Sequence, residues 1–221
     1  LMLYLLIPIL FFFSLKIFPN FIFTIFLILS LIHFGISDKL NNEKLLVINE
    51  ILLRSLIIIC LPITFYNEQT LQVFYFLNVS SEYCEFLTEI FTYLSYFLIP
   101  LLILYVFQSF KKKEYGHIVD ILILFFCFIF FQPLLSFFIY FCFLHSIRHL
   151  LNEKKLLHLT YKKLIFKTLP MTLIVLFFVI FFIFFYLYNP NTINYIFVSN
   201  LVIALFCLTV SHVLLINFIK D

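Results

Sequence analysis

The chain reads as an all-α protein: a polytopic transmembrane helical bundle of about eight spans, forming one domain over residues 1–221. Three observations predict this. The 221 residues are 65% hydrophobic and only 11% charged, and the mean hydropathy is +1.17, which excludes a water-soluble domain of this size. Apolar runs long enough to cross a bilayer recur from end to end. The runs are continuous and not alternating, which excludes a β-barrel. The net charge of +3 is small, and the Lys and Arg residues gather in short loops. That is the pattern of membrane topology and not of a phosphate-binding groove, so no nucleic-acid partner is expected.

Residues 1–18 form a first span, apolar apart from Ser14 and Lys16, and Pro19-Asn20 makes a turn. A second span covers 21–37, and a polar loop follows over 38–44. The third, 45–66, contains Arg54, which either snorkels or faces a polar interior. Residues 67–89 hold Glu68, Glu82, Glu85 and Glu89 with no Lys or Arg, and they predict a short interfacial helix. The fourth span is 90–110. Two shorter runs, 117–132 and 134–150, flank Pro133. A basic segment over 152–167 precedes a seventh span at 164–188, and the last span is 195–219. The start lacks a basic region and a small-residue cleavage site, so no cleavable signal peptide is expected.

The lysine-bearing loops at 38–44, 111–114 and 151–163 belong in the cytoplasm, which leaves 19–20, 67–89 and 189–194, without Lys or Arg, outside. This requires two passes between Lys113 and Lys154, so Pro133 is expected to break a hairpin and not merely kink one helix. The five cysteines show no Cys-x-x-Cys spacing, and four lie in apolar runs, where they read as small buried hydrophobes. The 35 Phe residues suit lipid-facing positions as well as Leu would, so they do not by themselves indicate a flat substrate.

The topology puts His33, His145, His149 and His212, from three different spans, at one depth in the cytoplasmic leaflet. His145 and His149 are four apart, which stacks them on one helix face. Histidines at membrane depth are rare and usually have a task, although a pair at headgroup level beside lipid phosphates is the bland alternative. Neutral imidazoles suit Fe, Cu or Zn and bring no charge that must be buried. With a coordination position left open, such a set is catalytic in type. Asp38 is either an acceptor that orients a ligand or a solvated loop carboxylate beside Lys39, and the local sequence favours the second. The chain has six histidines and no His-His pair, which argues against a multi-box di-iron desaturase.

Three stretches resemble one family: Ile32-His33-Phe34-Gly35-Ile36-Ser37-Asp38, Tyr140-Phe141-Cys142-Phe143-Leu144-His145-Ser146-Ile147-Arg148-His149, and Leu208-Thr209-Val210-Ser211-His212-Val213-Leu214-Leu215-Ile216-Asn217-Phe218. They look like the Brp/Blh family of β-carotene 15,15′-dioxygenases, membrane enzymes of bacteria and archaea. Motif order and separation match over almost the whole chain. The resemblance implies cleavage of β-carotene by dioxygen into two all-trans-retinal, with Fe(2+) held by His33, His145 and His149. It implies a multi-pass cell-membrane location and a retinal product captured by a rhodopsin-type apoprotein. The role of His212 is left open among ligand, hydrogen-bond donor to a ligand and substrate contact. The family's earlier Pro-His-Gly-Ala-Leu-Asp-like motif, with a further histidine ligand, has no counterpart before His33, so its amino-terminal helix is expected to be missing. Ser211 and Asn217 stand where the family tends to have proline and an acid. The competing readings are a relative that binds carotenoid or lipid without cleaving it, and a small transporter using the histidines as a proton relay, for which neither broken-helix glycines nor an inverted repeat is seen.

Overall fold

A computed structural model describes residues 2–41, 43–170, 172–173, 177 and 195–218. Among them every regular element is helical, in the order α1 (Met2–Ile17), α2 (Pro19–Ser37), α3 (Lys44–Phe65), α4 (Asn67–Phe76), α5 (Ser81–Ser95), α6 (Leu98–Lys111), α7 (Tyr115–Phe130), α8 (Pro133–Ile139), a π-helical turn (Tyr140–His145) and α9 (Ser146–Leu156). Residues 161–170 form α10, and Tyr195–Phe218 forms α11.

Four stretches are long and apolar enough to cross a membrane: Pro19–Ser37, Leu45–Phe65, Ser81–Lys111 and Pro133–Leu156. Leu6–Ile17, Tyr115–Phe130 and Val202–Leu214 are shorter apolar helices. The expectation of about eight spans is therefore met for four, and the span expected at 164–188 falls mostly outside the described residues. Many large apolar side chains are exposed around the bundle, among them Phe107, Phe130, Ile103 and Leu134. Such a surface is out of place in water and at home in hydrocarbon.

The helix α3 is the axis of the bundle. Its membrane-length window is 72% buried, against 39% for Pro19–Ser37 and 17% for the other two spans, because α2, α4, α5, α6 and α7 all pack on it. Leu53, Ile57, Ile58 and Cys60 are fully buried along it. The acidic stretch expected as an interfacial helix divides into α4 and α5, and α5 runs through a two-residue turn into α6. Glu82, Glu85 and Glu89 thus sit at the start of a long hydrophobic rod and not on a separate surface element.

Pro133 breaks a hairpin, as expected. Phe131 and Gln132 are extended, with ψ of 144° and 154°, and Pro133 opens α8, where its fixed φ is already helical and its missing N–H is not needed. The antiparallel course is confirmed by pairs placed symmetrically about the break. Phe128 meets Tyr140, with ring centroids 6.0 Å apart, and further from the turn Asp120 meets Arg148.

The helices α2 and α3 approach most closely at Gly35. A Cβ there would lie 2.5 Å from Ser55 Oγ, 2.7 Å from Ile51 Cγ2 and 2.8 Å from the Ile51 carbonyl oxygen. Ser55 has no room to retreat, because its hydroxyl donates across the interface to Leu31 O and back to Ile51 O. The glycine after His33-Phe34 is therefore what lets α2 lie against the central helix. Gly35→Ala is expected to destabilise the protein by about 1–3 kcal/mol, the usual cost of overpacking. Thermal unfolding in detergent micelles, followed by circular dichroism, measures this.

Candidate metal centre

The histidines singled out from the sequence converge. His33 sits one turn before the end of α2, His145 closes the π turn, His149 lies one turn further along α9, and His212 comes from α11. One donor atom from each of His33, His145 and His212 lies within 4.8 Å of the others. Ring centroids are 5.6 Å apart for His33 and His145 and 5.9 Å for His33 and His212. His149 borders the group, 6.4 Å from His145 and 5.8 Å from His212. His33 and His145 are buried, and His149 and His212 are half-buried.

Asp38 holds His145 in place, and here the structure overturns the favoured reading of it as a solvated loop carboxylate. Asp38 caps the C-terminus of α2 and is 1% exposed. Its Oδ1 accepts from His145 Nδ1 at 3.0 Å, and its Oδ2 accepts from the Tyr140 hydroxyl at 2.6 Å. Arg148 donates to its backbone oxygen at 3.1 Å. Burial alone would push the Asp38 carboxyl up; the hydrogen bonds from His145 and Tyr140, with the charge of Arg148, outweigh this and hold it below its ordinary value. An ionised Asp38 fixes the proton on His145 Nδ1 and leaves the Nε2 lone pair for the cluster.

The π turn makes this arrangement possible. Five residues apart on an α-helix, Tyr140 and His145 would diverge by about 140°. A turn closed by i→i+5 bonds stacks them instead. Ser146 N–H bonds to Phe141 O across that span, and the Tyr140 and His145 rings lie 5.8 Å apart. Both side chains thereby reach the two oxygens of one carboxylate. Phe34 and Phe141 pack edge-on against His145, with centroids at 5.8 and 5.6 Å, and form an apolar wall beside the donor atoms.

Behind Asp38 runs a chain of alternating charges that sequence reading touched only at Arg54 and Arg148. Arg54 faces the interior and does not snorkel. It donates to Glu50 Oε1 at 2.9 Å and to Asp120 Oδ2 at 2.5 Å. Asp120 turns its other oxygen to Arg148 at 2.5 Å, and Arg148 reaches Asp38. Glu50 also accepts from the backbone N–H groups of Leu40 and Asn41, at 2.9 and 3.0 Å, which ties down the loop after Asp38. His117, near the start of α7, hydrogen-bonds Asn41 Oδ1 through Nδ1 at 3.2 Å. Sequence reading missed Glu50 and Asp120, although two signals could have found them: Glu50 lies one turn before Arg54, and Asp120 is the one acid in the run 117–132. Nothing in the sequence marked Tyr140, which needs the π turn.

This donor set fits a first-row metal ion such as iron(II). It is made of imidazoles, and one ring is oriented by a carboxylate. An ion bound by imidazole nitrogens at about 2.1 Å keeps its donors within about 4.2 Å of one another, so the 4.8 Å spread is only slightly wider. The chain matches, over residues 1–220, the family model described as Beta-carotene 15,15'-dioxygenase. No curated protein and no solved structure matches it.

Proposed function

Because the chain belongs to the beta-carotene 15,15'-dioxygenase family, we propose that it cleaves β-carotene at the central 15,15′ double bond with dioxygen, yielding two all-trans-retinal. Each carbon of the broken bond takes one oxygen atom, so the reaction balances without an external reductant. The observation that carries the reading is the meeting of imidazoles from three sequence-distant helices beside an apolar aromatic wall.

In this reading His33, His145 and His149 hold iron(II), as the family resemblance implies. Iron(II) bound there supplies the one-electron chemistry that lets dioxygen react with a closed-shell alkene. Asp38 keeps the Nδ1 proton on His145 and aims the ring. Tyr140 and Arg148 fix Asp38 and balance its charge, so that the carboxylate orients a ligand without itself binding the ion. Phe34 and Phe141 shield the donors from water and offer a surface of the polyene's own polarity. The substrate dissolves in the bilayer and reaches the site sideways between helices. The lysine-bearing loops at 38–44, 111–114 and 151–163 argue for a site in the cytoplasmic leaflet, and the aldehyde product passes to a rhodopsin-type apoprotein.

The test is direct. Full-length protein in detergent, loaded with iron(II) and supplied with oxygen, is expected to convert β-carotene to retinal as read by chromatography. Its expression in carotene-producing cells is expected to bleach the pigment. Pigment that co-purifies uncleaved with metal-free protein would instead identify a carotenoid binder. Asp38→Asn keeps the shape of the side chain and removes its charge. It is expected to weaken iron binding roughly 10–100-fold, as loss of a ligand's oriented partner does elsewhere, which a competition titration against a chelator measures.

A further inference from the structure

We propose that His212 is itself a ligand of the metal centre, closing the set with His33 and His145. The proposal rests on reading the site as an iron centre and adds to it a residue whose role neither the motifs nor the family resemblance fixes. Three observations carry it.

The first is distance. The three residues whose donor atoms gather within 4.8 Å are His33, His145 and His212. His149, expected in that group from its spacing to His145, meets His145 and His212 at ring-contact distance. The second is placement. His212 stands on α11 between Val210 and Val213, both fully buried, in a stretch without any charged residue. A lone imidazole is costly there unless something engages it. The ring meets those of His33, at 5.9 Å and 82°, and His149, at 5.8 Å and 40°. The carboxylate at this depth, Asp38, has its two oxygens engaged by His145 and Tyr140. The third is topology. The helix α11 packs on α1, α2 and α4, so His212 reaches the cluster from the side of those helices, whereas Asp120 and Arg148 stand on α7 and α9. A donor from that side lets the ion be held by α2, the π turn and α11 together, and metal binding then ties the carboxyl-terminal helix to the bundle.

Cobalt(II) is the probe, because it replaces iron at imidazole sites and its visible absorption reports its coordination. The full-length wild-type protein in detergent is expected to bind one cobalt(II). His212→Ala is expected to weaken binding by more than the roughly 10–100-fold that follows loss of a ligand's hydrogen-bond partner. Added imidazole, filling the vacated space, is expected to restore the wild-type spectrum. His212→Gln, which keeps most of the side-chain volume, is the second variant should alanine impair folding as judged by circular dichroism. In the wild type, bound cobalt(II) is expected to protect His212 from diethyl pyrocarbonate, as read by mass spectrometry. Wild-type affinity and an unchanged spectrum in a folded His212 variant, or equal labelling of His212 with and without cobalt(II), would overturn the proposal. A wild-type protein that binds neither cobalt(II) nor iron(II) overturns the iron reading itself, a result distinguishable from the others.

Discussion

His145→Ala is expected to abolish both retinal formation and iron retention, with activity falling by well over about 100-fold. Two losses combine in this one change. The ring is the link between the donor cluster and Asp38: its Nδ1 faces Oδ1 at 3.0 Å, and one of its nitrogens belongs to the three-residue donor group. Removing it deletes a donor and strands a buried carboxylate that had been balanced by the imidazole N–H and the Tyr140 hydroxyl. Loss of a ligand's oriented partner alone weakens a metal site roughly 10–100-fold, so loss of the ligand itself exceeds that range. Iron per chain, measured by mass spectrometry on anaerobically purified protein, and retinal, measured by chromatography, give the two readouts. His158→Ala serves as the control. His158 stands at the turn after α9 with φ of +49°, away from the cluster, and its replacement is expected to change neither readout.

Arg54→Met carries the largest expected effect on stability. Arg54 is 1% exposed, and its neighbour Glu50 is fully buried. The guanidinium bridges Glu50 and Asp120. Methionine fills much of the space but leaves Glu50 without a cation and Asp120 with Arg148 alone. Removing one partner of a buried ion pair costs about 3–5 kcal/mol, because the remaining charge is uncompensated. A triple variant that also carries Glu50→Gln and Asp120→Asn is expected to recover a substantial part of that loss. Its failure to do so would show that Arg54 contributes through packing and not through charge. The single variant is also expected to lower activity, since Asp120 then loses one of its two arginines and its hold on Arg148, and through Arg148 on Asp38, slackens. Unfolding in mixed micelles gives the stability difference.

The parts of the fold set by long-range averages were legible in the sequence. Apolar runs mark helices at membrane length whatever their neighbours do, so the all-helical class and the spans at 21–37 and 45–66 could be read directly. The break at Pro133 was legible because charge placement demanded two passes where one helix would have given one. The histidines could be placed at one depth by the same argument, and the structure brings all four of them together. What was hidden depends on contacts between distant segments. Asp38 beside Lys39 looks like any loop acid until α9 folds back over the end of α2. Tyr140 lies out of register with His145 under ordinary helical spacing, and a π turn has no residue signature that brings them together. That a donor atom of His212 falls within 4.8 Å of those of His33 and His145 depends on how α11 packs, which spacing along the chain does not encode.

The most direct measurement is iron K-edge X-ray absorption on the reduced, detergent-solubilised full-length protein. The account predicts one iron(II) surrounded by nitrogen and oxygen neighbours, with the outer-shell scattering of at least three imidazole rings and a first shell that changes when His145 or His212 is replaced. Protein that cleaves β-carotene while holding no iron, or iron whose surroundings show no imidazole scattering, would contradict it.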